Sequence, residues 1–245
     1  MPNYRMLLQY DGSRYRGWQR LGDSDMTVQG KLEAALSRLL GVPTEISGSG
    51  RTDAGVHALG QVACFETRED YPPEQLLSEL RRCLPEDIGV MELTYAPPRF
   101  HARYNALEKT YCYRVWNSVT PCVFDRRFVY VFPEKLELDR MRQAAQRLLG
   151  THDFRGFSAG RTKKSTVRTL SRLSIEPVGE ELRFTLTADG FLQQMVRILV
   201  GTLLEIGRGE RTPDSIDLIF QEGVRADAGF TVPAKGLCLM EVKYP

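Results

Sequence analysis

Stretches that alternate like strands and stretches that repeat like helices take turns along this chain, and their order leaves few folds open. Tyr4 to Tyr10 (YRMLLQY) alternates and is closed by the turn pair Asp11-Gly12. From Thr27 onward, Val28, Leu32, Ala35, Leu36, Leu39 and Leu40 recur at helical spacing until Gly41 and Pro43 stop them. A short strand from Thr44 to Ser47, a strand from Gln61 to Thr67, a helix from Pro72-Pro73 through Leu84 and a strand from Ile88 to Tyr95 complete the order β-α-β-β-α-β. The second half roughly repeats the first. It reads as strands at Thr110 to Trp116 and Arg127 to Phe132, then a helix from Leu138 to Leu149 ended by Gly150. Strands at Arg168 to Pro177 and Glu181 to Thr187 flank the turn Gly179-Glu180. An apolar helix from Phe191 to Ile206, a helix opened by Thr212-Pro213 and a last strand from Leu237 to Tyr244 follow. This order predicts an α+β protein of two ferredoxin-like (RRM-like) halves whose antiparallel sheets join across a central active-site cleft. The expected domains are 1–104 and 105–245. With 245 residues in all, each half is long enough to bury a core.

Several function classes fall away on composition. No run of about 18 apolar residues occurs, and the N-terminus MPNYRMLLQYDG has no apolar signal, so a cytoplasmic protein with no membrane partner is expected. The five cysteines form no CxxC pair and are expected to be buried thiols. His57, His101 and His152 lie far apart, none in an HExxH pattern, so a metal site is not expected. A net charge of +2 does not advertise a nucleic-acid partner, but 26 of the 33 basic residues are arginine, whose planar fork suits phosphate. Two stretches concentrate them. RYRGWQR sets Arg14, Arg16 and Arg20 around Tyr15 and Trp18, and RTKKSTVRTLSR carries five basic residues, Arg161, Lys163, Lys164 and Arg168 among them, and no acid. Either reads as a solvated face or as a surface for a polyanion with stackable bases.

The segment GSGRTDAGVHA, Gly48 to Ala58, places the carboxylate of Asp53 among glycines, two residues after Arg51 and four before His57. A dinucleotide loop needs G-x-G-x-x-G ahead of a helix. Here Asp53 stands where the third glycine belongs, and the following segment alternates like a strand. An aspartate capping a turn is a second reading. Gly48, Gly50 and Gly55 favour a third, in which a ligand approaches the backbone closely and Asp53 stays accessible. Arg197 lies in the apolar helix FLQQMVRILVGTLLEIG, where it either snorkels to water or meets a carboxylate. If that carboxylate is Asp53, the arginine favours its ionised form, and an ionised, oriented aspartate is a candidate nucleophile or base.

Six motifs, YDGSRYRGWQ, GRTDAGVHALGQV, FHARYNALEKTYCYRVWN, GTHDFRGFS, FLQQMVRILVG and KGLCLMEVKYP, span almost the whole chain. In content and order they closely resemble those of the TruA-type tRNA pseudouridine synthases. The resemblance implies an isomerase that converts uridine to pseudouridine in the anticodon stem-loop of tRNA, at positions 38, 39 and 40, without a cofactor. It assigns the catalytic nucleophile to Asp53, its charge partner to Arg197, and the ring that stacks on the target base, and is a candidate to move its proton, to Tyr111. Arg51 corresponds to the arginine that fills the gap left by the extracted base, and Leu237 to a residue that closes the pocket. A homodimer is implied, with tRNA lying across basic surface of both subunits, for which Arg14, Arg161, Lys163, Lys164 and Arg168 are candidate contacts. Gln193-Gln194 departs from the family's pattern. Attack at C6 of the base, attack at C1′ of the ribose and removal of a sugar proton all fit the residue types. The competing reading is a tRNA-binding or chaperone module without chemistry, which would need the basic surface but not Asp53, Tyr111 and Arg197 together.

Overall fold

The computed structural model describes residues 1–160 and 164–245. The chain forms two compact units, residues 1–107 with 238–245, and residues 108–237. The division thus falls three residues later than the sequence suggests, and the last eight residues belong with the first unit.

In chain order the elements are β1 (Asn3–Tyr10), α1 (Val28–Leu40), β2 (Ser47–Gly48), β3 (His57–Glu66), α2 (Pro73–Cys83) and β4 (Ile88–Tyr95). Then come β5 (Glu108–Trp116), β6 (Tyr130–Val131), α3 (Leu138–Leu148), β7 (Gly150–Asp153), β8 (Val167–Val178) and β9 (Glu181–Ala188). The chain ends with α4 (Met195–Gly207), α5 (Ser215–Glu222) and β10 (Leu237–Lys243).

In the first unit β1 is central, antiparallel to β4 on one side and to β3 on the other. The far edge of β3 is shared, with β2 antiparallel at Cys64 and Ala63 and β10 parallel at His57 and Ala58. Every second residue of β1 from Tyr4 to Tyr10 is buried, as its alternation requires. Helix α1 starts at Thr27, whose hydroxyl accepts the Gly30 N–H at 3.2 Å, and stops at Gly41 in the left-handed region. Its stripe of Val28, Leu32, Leu36 and Leu40 is buried. Strand β3 begins at His57, four residues before the alternation does, because β10 pairs with residues that no local pattern marks as a strand.

The second unit carries the antiparallel order β5-β9-β8-β7, with the two-residue β6 parallel to β5. The strand expected from Arg127 to Phe132 shrinks to β6 because Phe128 is tied back to Asp125 in a turn. Strand β7 is absent from the sequence reading. It is only four residues long and exists through its pairing with β8. Helix α4 begins at Met195 instead of Phe191, since Gln194 adopts φ 59 and breaks the helical path. Among the described residues Gln194 is the only non-glycine residue with positive φ, a conformation that costs energy and marks functional segments. Nearly all of α4 is buried, which explains its apolar character on every face. The cysteines differ from expectation. Cys64 is buried, whereas Cys83, Cys112, Cys122 and Cys238 are only partly so. No helix of the described residues is long and apolar enough to cross a membrane.

Candidate active site

Asp53 lies in the loop that joins β2 to β3, half-buried, between exposed Arg51 and exposed Ala54. Its neighbours are fixed on all sides. The buried hydroxyl of Thr52 is hydrogen-bonded to the Tyr10 hydroxyl of β1 at 2.8 Å. Burial holds that tyrosine far above its ordinary pKa despite the hydrogen bond to Thr52, so the pair stays neutral. The Thr52 carbonyl accepts the Trp18 N–H at 3.0 Å, and the Gly55 N–H donates to the Tyr15 carbonyl at 3.3 Å. The Val56 N–H donates back to the Asp53 carbonyl at 3.2 Å. Asp53 thereby opens a four-residue turn, and Gly55 supplies the φ of +79 that a type II turn needs at its third position.

On the N-terminal side of the loop, Gln61 of β3 has no exposed surface. Its amide donates to the Gly50 carbonyl at 3.0 Å, and its Oε1 accepts the Ser49 hydroxyl at 2.6 Å. The chain just before Arg51 is therefore pinned to the sheet by a buried polar network, a costly arrangement unless fully satisfied. His57 is also structural here. It is buried, and its Nδ1 accepts the Gly12 N–H at 3.0 Å.

The stretch RYRGWQR packs beneath this loop. Tyr15 and Trp18 are each 3% exposed, so neither ring is a stacking surface for a base. Gly17, at φ +104, lets the strap pass so near the loop that a Cβ there would stand 2.7 Å from the Thr52 carbonyl oxygen. The three arginines are tied to carboxylates from elsewhere in the unit. Arg14 meets Asp87 at 3.0 Å, Arg16 meets Asp23 at 3.2 Å, and Arg20 meets the buried Glu33 at 3.1 Å. Asp87 also accepts the Tyr15 hydroxyl at 2.5 Å.

On the second unit, Tyr111 sits on β5 opposite Leu186 of β9, buried, with the Phe191 ring edge-on at 5.1 Å and 86°. Arg197 and Glu205 are half-buried on α4, whose other residues are all buried. The Arg197 Nε donates to the Val232 carbonyl at 2.8 Å, and the Val232 N–H donates to the Arg197 carbonyl at 3.3 Å. The Tyr113 hydroxyl holds the next residue of that segment by donating to the Pro233 carbonyl at 2.7 Å. Leu237, buried, is the first residue of β10. Lys164 is exposed, whereas the Arg168 guanidinium folds back onto the carbonyls of Ser165 and Val167 at 3.0 and 2.6 Å. Arg161 and Lys163 lie outside the described residues.

A family model described as tRNA pseudouridine synthase matches residues 6–105 and 144–245. The tRNA pseudouridine synthase A of Bacillus sp. (strain KSM-64) is 45% identical over 245 residues, covering the whole of both chains. That of Acetivibrio thermocellus is 42% identical, and the tRNA pseudouridine synthase A 2 of Bacillus anthracis 40%, each over the full length of both chains. This chain belongs to the tRNA pseudouridine synthase family. The matched segments contain Arg51, Asp53, Arg197 and Leu237, whereas Tyr111 falls between them. In this member of the family, the aspartate loop is held by residues whose holding role the motifs do not announce: Tyr10, Trp18, Ser49 and Gln61. One of them was signalled. Gln61 interrupts the apolar run ALGQVACF, and a polar side chain at a core position of a strand needs a buried partner.

Proposed function

We propose that this chain isomerises uridine to pseudouridine in the anticodon stem-loop of tRNA, at positions 38, 39 and 40, with Asp53 as the nucleophile. The N1–C1′ bond breaks, a C5–C1′ bond forms, the C5 proton leaves to solvent and N1 takes a proton. The observation that carries this reading is a half-buried aspartate on a loop fixed through Tyr10, Trp18 and Gln61, in a chain of this family. Such fixing supports chemistry because a nucleophile held in one geometry does not lose orientational freedom at the moment of reaction. The target base is shielded by stacking and must be flipped out at a cost of a few kcal/mol, part of which exposed Arg51 offsets by entering the vacancy. Tyr111 stacks on the flipped base, and Leu237 closes over it. Arg197 is the charge partner of Asp53, since a guanidinium on so apolar a helix is costly without a carboxylate. Lys164 and Arg168, with Arg161 and Lys163, contact tRNA phosphates, as Arg14 does beside Asp87. The active form is a cytoplasmic homodimer with tRNA across both subunits, in keeping with the family resemblance.

Chemical mapping of pseudouridine in tRNA incubated with purified protein tests the activity. Wild-type protein modifies uridines of the anticodon stem-loop. Asp53→Asn makes no product yet binds tRNA within a few-fold, because the carboxylate does chemistry and carries few phosphate contacts. Substantial turnover by Asp53→Asn removes the aspartate from this role.

A further inference from the structure

The loop of residues 96–105 in the first unit is fastened to the sheet along its length and yet presents an aromatic ring to solvent. The Ala96 N–H donates to the Asn3 carbonyl at 2.8 Å, and the Asn3 amide donates to the carbonyls of Pro97 and Phe100 at 3.1 and 2.9 Å. The Ala102 N–H meets the Cys64 sulfur at 3.3 Å, while its carbonyl accepts the Tyr244 hydroxyl at 2.6 Å. Asn105 closes the tip, its Oδ1 accepting the His101 N–H at 2.7 Å and its own N–H donating to the His101 carbonyl at 3.1 Å. On this fixed base the Tyr104 ring packs against the His101 ring, with centroids 4.3 Å apart and 37° between planes, and is 78% exposed. Arg99 and Arg103 stand on the same loop and are exposed, and residues 96–107 contain no acid. Among the described residues neither guanidinium is in an ion pair with a carboxylate.

A single exposed ring is ordinary on a protein surface. A ring ordered in advance by a histidine contact, on a pinned loop that also carries two exposed guanidiniums without acidic partners, has the chemistry of a nucleotide platform. An unpaired base stacks on the open side of such a ring without regard to sequence, and arginines on the same loop hold its phosphates. We infer that Tyr104, backed by His101 and with Arg99 and Arg103 on the same loop, is a docking platform for one unstacked base of the tRNA, on a different loop from Asp53. This rests on the proposed tRNA substrate. The platform contributes to affinity and takes no part in bond breaking, so its loss raises KM and leaves kcat in place.

The test is equilibrium binding of a fluorescently labelled tRNA transcript, followed by anisotropy at several salt concentrations, together with single-turnover pseudouridine formation at saturating enzyme. Tyr104→Ala weakens binding by about fivefold or more, as loss of one base–aromatic stack does, and reacts at the wild-type rate once saturated. Tyr104→Phe keeps the ring and binds within about twofold of wild type. Replacing Arg99 and Arg103 together by glutamine lowers the slope of log affinity against log salt by about 0.7 to 0.9 for each phosphate that is no longer neutralised. Wild-type affinity in Tyr104→Ala, or an equal loss in Tyr104→Phe, overturns the platform. A wild-type protein that binds the transcript but forms no pseudouridine overturns the catalytic reading and leaves the platform to be judged by the affinities. One that binds no tRNA overturns both.

Discussion

Residues 14–20, RYRGWQR, and residues 99–105, RFHARYN, are close in composition: arginines around aromatic side chains, without an acid. The first stretch turns its rings inward, where Tyr15 and Trp18 are buried, and its arginines are each tied to a carboxylate. Its backbone receives and donates the hydrogen bonds that fix the Asp53 loop. The second sends Tyr104 outward, packs it against His101 at a tilt and leaves Arg99 and Arg103 exposed with no acid nearby in sequence. Basic and aromatic content alone therefore does not locate an RNA surface. Whether the rest of the fold supplies a cavity for the rings decides whether they serve as scaffold or as interface.

Substitution of the two aromatic anchors probes this contrast most sharply. Trp18→Ala opens a cavity under the loop and is expected to cost about 3–5 kcal/mol in denaturant unfolding, with turnover falling in parallel. If Trp18→Ala is tolerated as a surface change would be, the two stretches do not differ in kind. Gly17→Ala follows, at about 1–3 kcal/mol, because alanine must adopt φ +104 against the Thr52 carbonyl. Its distinguishing readout is kinetic: the single-turnover rate falls while tRNA affinity is held within a few-fold, since the displaced segment is the one bearing Asp53. Equal losses in rate and affinity would mean that Gly17 supports the unit as a whole. Tyr10→Phe removes the partner of the buried Thr52 hydroxyl, with an expected cost of about 1 kcal/mol and a measurable drop in turnover. A variant with full turnover would show that this hydrogen bond does not position the loop. The smallest change is for Tyr104→Ala, within about 0.5 kcal/mol of wild type in unfolding, as for a surface site, although tRNA affinity drops. A large loss of stability there would make Tyr104 scaffold too and erase the contrast.

Elements with a strong local period were legible almost to the residue: β1 and α1 through their buried stripes, α2 through Pro73 at its start, and β4 from Ile88 to Tyr95. The Asp53 loop was legible as a place where a carboxylate stands among glycines, and Gly55 does what a glycine in a turn is for. The start of α4 was misread because the apolar run continues through Phe191 and Leu192, while the backbone reverses at Gln194. Strand β7 and the first four residues of β3 were missed because they are strands by virtue of partners far along the chain.

By itself the sequence determined most of the strands and helices, the carboxylate set among glycines at residues 48–58, and to which family the chain belongs. Those properties are written in short-range spacing and in side-chain identity, and both survive without knowledge of neighbours. Only the tertiary structure decided that residues 238–245 join the first unit, that Gln61 and Tyr10 hold the loop, and that Asp87 and Glu33 engage Arg14 and Arg20. It likewise decided that Tyr104 faces solvent while Trp18 does not. Burial and hydrogen bonding join groups tens of residues apart. A buried polar group must find its partner wherever the fold brings one, a condition that no local window of sequence contains.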